Sequence, residues 1–185
     1  MTEGMVSAAC INWEKREILL VFNTDLEKPL GFWGLPGGKM KEEETAEAGA
    51  VRELYQETSQ EGKTTKYSVE IPKTGSKGDY IHFFIAIRIP EEKELKNHED
   101  PAAIPKWIPF QEIITGRVKM FRGHVQGLIL VLEKMVEQKS SNQGKVDRNG
   151  IPIISEGPSA LLETLNELKN AFSTNGQFVP SYRRR

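Results

Sequence analysis

Short runs rich in apolar and β-branched residues, separated by polar stretches, recur through the first 110 positions, a pattern that is typical of β-strands. Six segments fit this pattern: residues 6–12, 17–23, 33–35, 64–71, 80–89 and 106–110. The four-residue break at 13–16 separates the first two segments and predicts a hairpin. The polar stretches 24–32 and 72–79 are predicted loops, the second of which contains glycine and lysine.

Helical spacing of apolar residues replaces these short runs in three other segments. The first follows a Pro-Gly-Gly turn and carries apolar residues along one side: Ala48, Val51, Leu54 and Tyr55. Residues 124–138 and 159–173 carry similar stripes, and residues 110–115 predict one short helical turn. Strands that alternate with helices in this way indicate an α/β protein.

The helix after the glycine turn concentrates negative charge. Six glutamates fall between Glu42 and Glu57, with Arg52 as the sole basic residue among them, although the whole chain has a formal net charge of only -1. At about 100° per residue, Glu53, Gln56 and Glu57 project within one arc of about 100°, away from the apolar stripe. These side chains can therefore reach a common ion. The alternative interpretation is a solvated acidic face with alanines that favour the helix.

The preceding turn supports metal binding. Gly37 and Gly38 tolerate positive φ and close approach, so the backbone can turn sharply and aim a carbonyl oxygen at an ion beside the helix. Magnesium accepts carboxylate and carbonyl oxygens and completes its shell with water and substrate phosphates. Ala46, Gly49 and Ala50 are small and leave space for a phosphate chain on the same side. The segment thus predicts a divalent cation and a phosphate-bearing substrate.

Residues 38–60 resemble the Nudix box, G-x5-E-x7-R-E-U-x-E-E-x-G-U, in which U is bulky and aliphatic. The spacing agrees at six positions: Gly38, Glu44, Arg52, Glu53, Leu54 and Glu57. Three positions depart, because Gln56 replaces the first glutamate of the pair, Ser59 replaces glycine and Gln60 replaces the aliphatic residue. Gly62 follows three residues late, which suggests a longer last turn and a displaced exit from the helix.

The resemblance implies hydrolysis of a nucleoside diphosphate linked to another group, with magnesium or manganese as cofactor. By that analogy Glu53 and Glu57 bind metal, and Glu53 deprotonates or orients the attacking water. Arg52 would orient Glu53 through a charge-assisted hydrogen bond, and Glu44 would support this network. Gln56 can still offer an amide oxygen to the metal but brings no charge, so we expect weaker ion binding at that position.

The resemblance also implies the fold, an α/β/α sandwich with a mixed β-sheet between helices. It covers about residues 5–138, so we expect a Nudix domain at 1–138 followed by an appendage at 139–185. Residues 139–158 have the composition of a linker, with a short strand as an option at 151–154. The apolar stripe of 159–173 must be covered by the domain itself or by a second subunit, and the second option predicts a homodimer.

Further site residues are proposed outside the box. The family usually takes another metal ligand from a loop ahead of the tryptophan-containing strand, which makes Glu99 and Asp100 candidates; a flexible charged loop is the alternative. Several aromatic residues could stack on a nucleotide base, although each also suits a core: Phe32, Tyr80, Phe84, Trp107 and Phe121. The three histidines, His82, His98 and His124, have no partner at a ligand spacing and are interpreted as structural.

The remaining sequence features bear on the cellular compartment and on possible partners. Cys10 is the single cysteine and lies in an apolar run, so a small buried filler is expected. The amino terminus lacks the basic and apolar stretches of a secretory signal, and no window of eighteen apolar residues predicts a membrane span. We therefore expect a cytoplasmic enzyme. The basic tail at 182–185 is too short to predict a nucleic-acid partner.

Substrate choice is open at this point. A nucleoside triphosphate, cleaved to the monophosphate and pyrophosphate, is the leading candidate because the chain is short. Pro72 lies twelve residues past Gln60, short of the spacing typical of ADP-ribose hydrolases, which weakens that alternative. Dinucleoside polyphosphates and nucleotide sugars are further candidates. A different class of function is a non-catalytic module that senses a nucleotide or presents its carboxy-terminal helix to a partner.

Overall fold

The computed structural model describes residues 3–23, 32–75, 78–98, 103–142 and 158–174. The strands in these ranges are β1 Glu3–Asn12, β2 Glu17–Asn23, β3 Phe32–Gly34, β4 Gly37–Lys39, β5 Lys63–Gly75, β6 Gly78–Arg88 and β7 Ile104–Pro109. The helices are α1 Ala46–Thr58, α2 Phe110–Ile114, α3 Arg122–Asn142 and α4 Pro158–Thr174. The expected β1–β2 hairpin and the short helix at 110 are confirmed.

The strands form one mixed sheet, in which β1 is the central element. The path through the sheet is β3-β2-β1-β6-β5, with β4 also paired to β1 and β7 to β2. β1 runs parallel to β6 and antiparallel to β2 and β4. β1 therefore lies between β4, which contains the predicted glycine turn, and β6, which carries His82.

Side chains of β1 point alternately to the two faces of the sheet, as the strand period requires. Val6, Ala8 and Cys10 join a core cluster with Ala50 and Leu54 of α1. Alternate positions of the same strands face a larger cluster built with α2, α3 and α4. Helices thus cover both faces of a mixed sheet, which confirms the α/β/α sandwich. Cys10 is fully buried, as expected, and burial raises the pKa of its thiol.

The carboxy-terminal helix packs on its own domain. Leu161, Leu165 and Leu168 of α4 are buried in the cluster that α3 also lines. Ion pairs flank this contact, since Arg16 in the β1–β2 turn reaches Glu163 at 3.4 Å. The first of the two options for covering the apolar stripe is the one observed, so the stripe no longer gives a reason to expect a homodimer.

Several expected boundaries were wrong. The predicted loop at 72–79 is largely strand, because Lys73 pairs with Tyr80 and Thr74 with Asp79 at the end of the β5–β6 hairpin. The polar side chains suggested a loop, but a ladder at the edge of a sheet is stabilised by backbone pairing. α3 continues to Asn142, into the predicted linker.

The sequence expectations that lie outside the described residues include most of the loop at 24–32, the optional strand at 151–154 and the basic tail at 182–185. Within the described ranges, no helix has both the length and the apolar character needed to cross a lipid bilayer.

Candidate active site

Helix α1 starts and packs in a way that turns its acidic side toward β4. The Thr45 side chain accepts a hydrogen bond from the Ala48 N–H at 3.2 Å and caps the helix amino terminus. Ala50 and Leu54 are fully buried against the sheet. Since the apolar side of the helix is fixed in this way, Glu53 is directed at the glycine turn.

Gly38 gives Glu53 the space for its carboxylate. A Cβ atom at residue 38 would lie 2.5 Å from Oε1 of Glu53 and 2.8 Å from Oε2, which is closer than real Cβ contacts allow. Gly37 is equally confined, since a Cβ there would strike the carbonyl oxygen of Val6. The described glycines with positive φ are Gly78 and Gly116. The turn therefore needs glycine for close approach, and the expected role of positive φ was wrong.

Glu53 is a buried carboxylate with a charged partner. Only 5% of the residue is exposed, and Nη1 of Arg52 donates to its Oε1 at 2.7 Å. A buried carboxylate without such a partner would be strongly destabilising. The neighbouring guanidinium therefore both stabilises Glu53 and sets the orientation of its carboxylate.

Arg52 also binds Glu44 and the β4 backbone. Its Nε and Nη2 donate to the two carboxylate oxygens of Glu44 at 2.8 and 2.9 Å, and Nη2 also donates to the Lys39 carbonyl oxygen at 3.0 Å. Hydrogen bonds from Arg52 are the main cause that lowers the pKa of Glu44 to about 2. The same bonds raise the pKa of Arg52. Both groups are therefore ionised at neutral pH, and the expected Arg52–Glu53–Glu44 network is present.

Gln56 and Glu57 occupy different positions in this site. The Gln56 Oε1 accepts a hydrogen bond from Arg52 Nη1 at 2.8 Å. This contact favours a role for Gln56 in holding the guanidinium over direct ligation of metal. Glu57 Oε2 accepts from the Gly37 N–H at 2.8 Å, so the two glutamates meet neighbouring glycines of one turn.

The donor set fits a cation of the magnesium type. Among the described residues, no group of three or more His, Cys, Asp or Glu side chains converges into a closed metal cage. Magnesium, however, is usually held by one or two carboxylates, with water and substrate phosphates completing its shell. Glu53 and Glu57 supply such a partial set of hard oxygen donors. Glu99 and Asp100 lie outside the described residues.

The proposed base-stacking residues are dispersed. Phe32 lies in β3, the strand that leads into the glycine turn. Its ring contacts the ring of Phe121, with centroids 5.5 Å apart. Tyr80 is half-buried in β6. Phe84 is fully buried against Gly127, which does not fit direct contact with a base. Trp107 lies in β7 opposite Leu19 and packs on the α1-side core.

Two histidines support the turn from the other face of the sheet. His124 Nδ1 accepts a hydrogen bond from the Leu35 N–H at 2.9 Å. His82 Nε2 lies 2.9 Å from Ser7 Oγ, and burial, followed by the charges of His124 and Lys73, lowers its pKa to about 3. The sequence pattern predicts structural roles for both histidines but does not predict these partners, because only the parallel β1–β6 pairing brings residues 7 and 82 together.

A family model described as the NUDIX domain matches residues 4–126. The chain belongs to the Nudix family. Nudix hydrolases act on pyrophosphate bonds, and they generally need a divalent metal. This membership agrees with the site, in which residues of the box and of the glycine turn are in contact.

A curated relative matches part of the chain. Nudix hydrolase 6 of Arabidopsis thaliana is 30% identical over 115 residues, which are 59% of this chain and 40% of that protein. The chain thus matches well under half the length of this curated relative.

Two solved structures share the fold. The NUDIX domain of Shewanella oneidensis NrtR complexed with ADP ribose has a TM-score of 0.57 at 20% identity, over 73% of this chain and 89% of that one. A bifunctional NMN adenylyltransferase/ADP ribose pyrophosphatase from Francisella tularensis, complexed with AMP and a manganese ion, has a TM-score of 0.55 at 23% identity. That match covers 72% of this chain and 42% of the other.

Proposed function

We propose that this protein is a pyrophosphohydrolase that cleaves a nucleoside diphosphate linked to another group, with magnesium or manganese as cofactor. The observation that supports this proposal best is the buried carboxylate of Glu53, which rests against Gly38 and is bonded to Arg52 at 2.7 Å. Burying a carboxylate is costly even beside a charged partner, and carboxylates held in this way cluster at functional sites.

Each residue of the site has a different role in the reaction. Water attacks phosphorus, one phosphoric anhydride bond breaks, and the proton of the water passes to Glu53 or, through it, to solvent. Arg52 fixes the orientation of Glu53, and Glu44 keeps Arg52 in place from the opposite side of the guanidinium. Glu57 stays against the turn through the Gly37 N–H. A bound divalent cation would screen the charge that develops on the phosphate oxygens.

A nucleoside triphosphate, cleaved to monophosphate and pyrophosphate, is the first substrate candidate, as the sequence suggested. ADP-ribose is the second candidate. The observation that favours ADP-ribose is the chemistry of the two structural relatives, one bound to ADP ribose and the other named as an ADP ribose pyrophosphatase. Their identities of 20% and 23% support the shared fold and leave the substrate to experiment.

A substrate panel tests the proposal. Purified protein is incubated with nucleoside triphosphates, ADP-ribose, nucleotide sugars and dinucleoside polyphosphates, each with magnesium or manganese, and products are separated by ion-exchange chromatography. We expect a nucleoside monophosphate together with pyrophosphate, or with the phosphorylated second group. Tight nucleotide binding without products under either metal would instead support the non-catalytic sensor. Glu53→Gln is the matched control, because it keeps the size and hydrogen-bonding shape of the side chain.

A further inference from the structure

Two residues that depart from the Nudix box tie α1 to a segment far along the chain. Gln60 is fully buried, and its side-chain amide pairs with the main chain of Lys93. Oε1 accepts from the Lys93 N–H at 2.9 Å, and Nε2 donates to the Lys93 carbonyl oxygen at 2.8 Å. An aliphatic side chain at residue 60 would leave both of these backbone groups without this partner.

Ser59 makes the neighbouring connection. It caps α1 in the left-handed conformation, with φ of 62°, a region that costs a residue with a Cβ more than it costs glycine. Its hydroxyl donates to the Lys96 carbonyl oxygen at 3.1 Å and lies 2.8 Å from Nε2 of His98, which then acts as donor. Serine thus adds contacts that glycine cannot make. The helix ends at Thr58, so the expected longer last turn was wrong.

The same segment, residues 93–98, also caps the helix through its backbone. The Lys96 N–H donates to the Thr58 carbonyl oxygen at 3.2 Å, and the His98 N–H donates to that of Gln56 at 2.7 Å. Carbonyl groups in the last turn of a helix have no intrahelical partner. The His98 ring completes the contact by stacking on Tyr55, with centroids 5.6 Å apart.

This cap falls on the turn that carries Glu57. Helix ends fray, and fraying is greatest in the last turn. Glu57 is the penultimate residue of α1, and its contact with the Gly37 N–H depends on that turn being formed. A segment that bonds to the carbonyl groups of Gln56 and Thr58 therefore restrains a proposed metal ligand without touching it.

We propose that Ser59 and Gln60 are positioning residues that dock segment 93–98 on the end of α1 and thereby hold Glu57 in its metal-binding position. This inference rests on the proposed function, because it assigns a purpose to restraining Glu57. In this chain, side-chain contacts from Ser59 and Gln60 to a distant segment order the helix end. They do so in place of the glycine and the aliphatic residue of the box.

The test measures manganese binding without substrate, by electron paramagnetic resonance, and amide hydrogen exchange in the metal-free protein. Gln60→Met keeps the length of the side chain but cannot pair with Lys93. We expect this variant to bind manganese about tenfold more weakly, the scale of effects from residues that support metal ligands. The amides of Lys93, Lys96 and His98 should exchange faster. Thr164→Val is the matched control, since it alters a buried polar residue of α4 and should leave manganese affinity within about 1.5-fold.

Ser59→Gly separates positioning from general stability. Glycine relieves the left-handed backbone, so the variant should fold at least as well, yet we expect about threefold weaker manganese binding because the hydroxyl contacts are lost. Unchanged manganese affinity in both variants, with faster exchange of the segment amides, would overturn the positioning role. Failure of the proposed function has a different signature: wild-type protein that binds no manganese, or Glu57→Gln that binds it equally well.

Discussion

The two faces of the sheet are built for different tasks. On the α3 and α4 face, a large apolar cluster contains fully buried residues such as Leu128 and Leu132. On the α1 face the apolar cluster is smaller, and the same helix also carries Arg52, Glu53 and their ionic contacts. One layer therefore mainly stabilises the domain, whereas the other devotes part of its surface to buried charge. Substitutions on the two faces should therefore separate stability from activity.

The largest expected effect is the loss of turnover in Glu53→Gln and in Glu57→Gln. Each should reduce kcat by about a hundredfold or more, because removing a carboxylate abolishes proton transfer or metal binding. Circular dichroism should show an intact fold. If both variants lost less than threefold in kcat, the α1 face would not contain the active site.

Leu128→Ala, on the opposite face of the sheet, should lower the stability of the fold and leave kcat nearly unchanged. Deletion of this fully buried side chain should lower the free energy of unfolding by about 2–5 kcal/mol. Well below its melting temperature the variant should keep kcat within about twofold of wild type. Urea unfolding and steady-state kinetics check the two parts. Leu54→Ala is the matched control on the α1 face and should impair both stability and kcat.

Acid should destabilise the fold through His82 before it affects Glu44. The folded protein keeps His82 neutral because burial lowers its pKa from 6.5 to about 3. The unfolded state therefore binds more protons between these values, and stability falls as pH drops through that window, by up to about 1.4 kcal/mol per pH unit. The carboxylate of Glu44 contributes only as pH falls from 4.5 toward 2.

Urea unfolding at pH 6.5, 5.5 and 5.0 isolates the histidine contribution. His82→Gln should flatten this part of the profile, because the remaining side chain does not titrate. A slope that is equal in wild type and variant would assign the acid sensitivity to other groups.

The smallest expected effect is that of Gln56→Glu, which restores the residue typical of the family. Added negative charge beside Glu53 and Glu57 should lower the magnesium concentration for half-maximal activity by about two- to fivefold. Magnesium titration of initial rates checks this. Because Arg52 already bonds residue 56, an unchanged requirement would indicate that this position serves the guanidinium alone.

Much of the fold followed from local patterns. The β1–β2 hairpin, α2 and the stripes of α3 and α4 could be predicted because periodicity reports which side of an element is buried. The ends of β5 and β6 could not be predicted, since polar residues there are held by cross-strand pairing that composition does not reveal. Likewise, the stripe of α4 predicted a covered helix but not which surface covers it.

The sequence by itself determined the family and the acidic helix, because fixed spacing on a helix sets which side chains share a side. Tertiary structure decided the rest. It placed Glu53 on Gly38, joined Glu57 to the Gly37 N–H and brought Lys93 to Gln60, all contacts between residues whose separation along the chain carries no signal of proximity. The physical reason is that a buried charge or amide is defined by its partners, and the partners are set by how strands and helices pack.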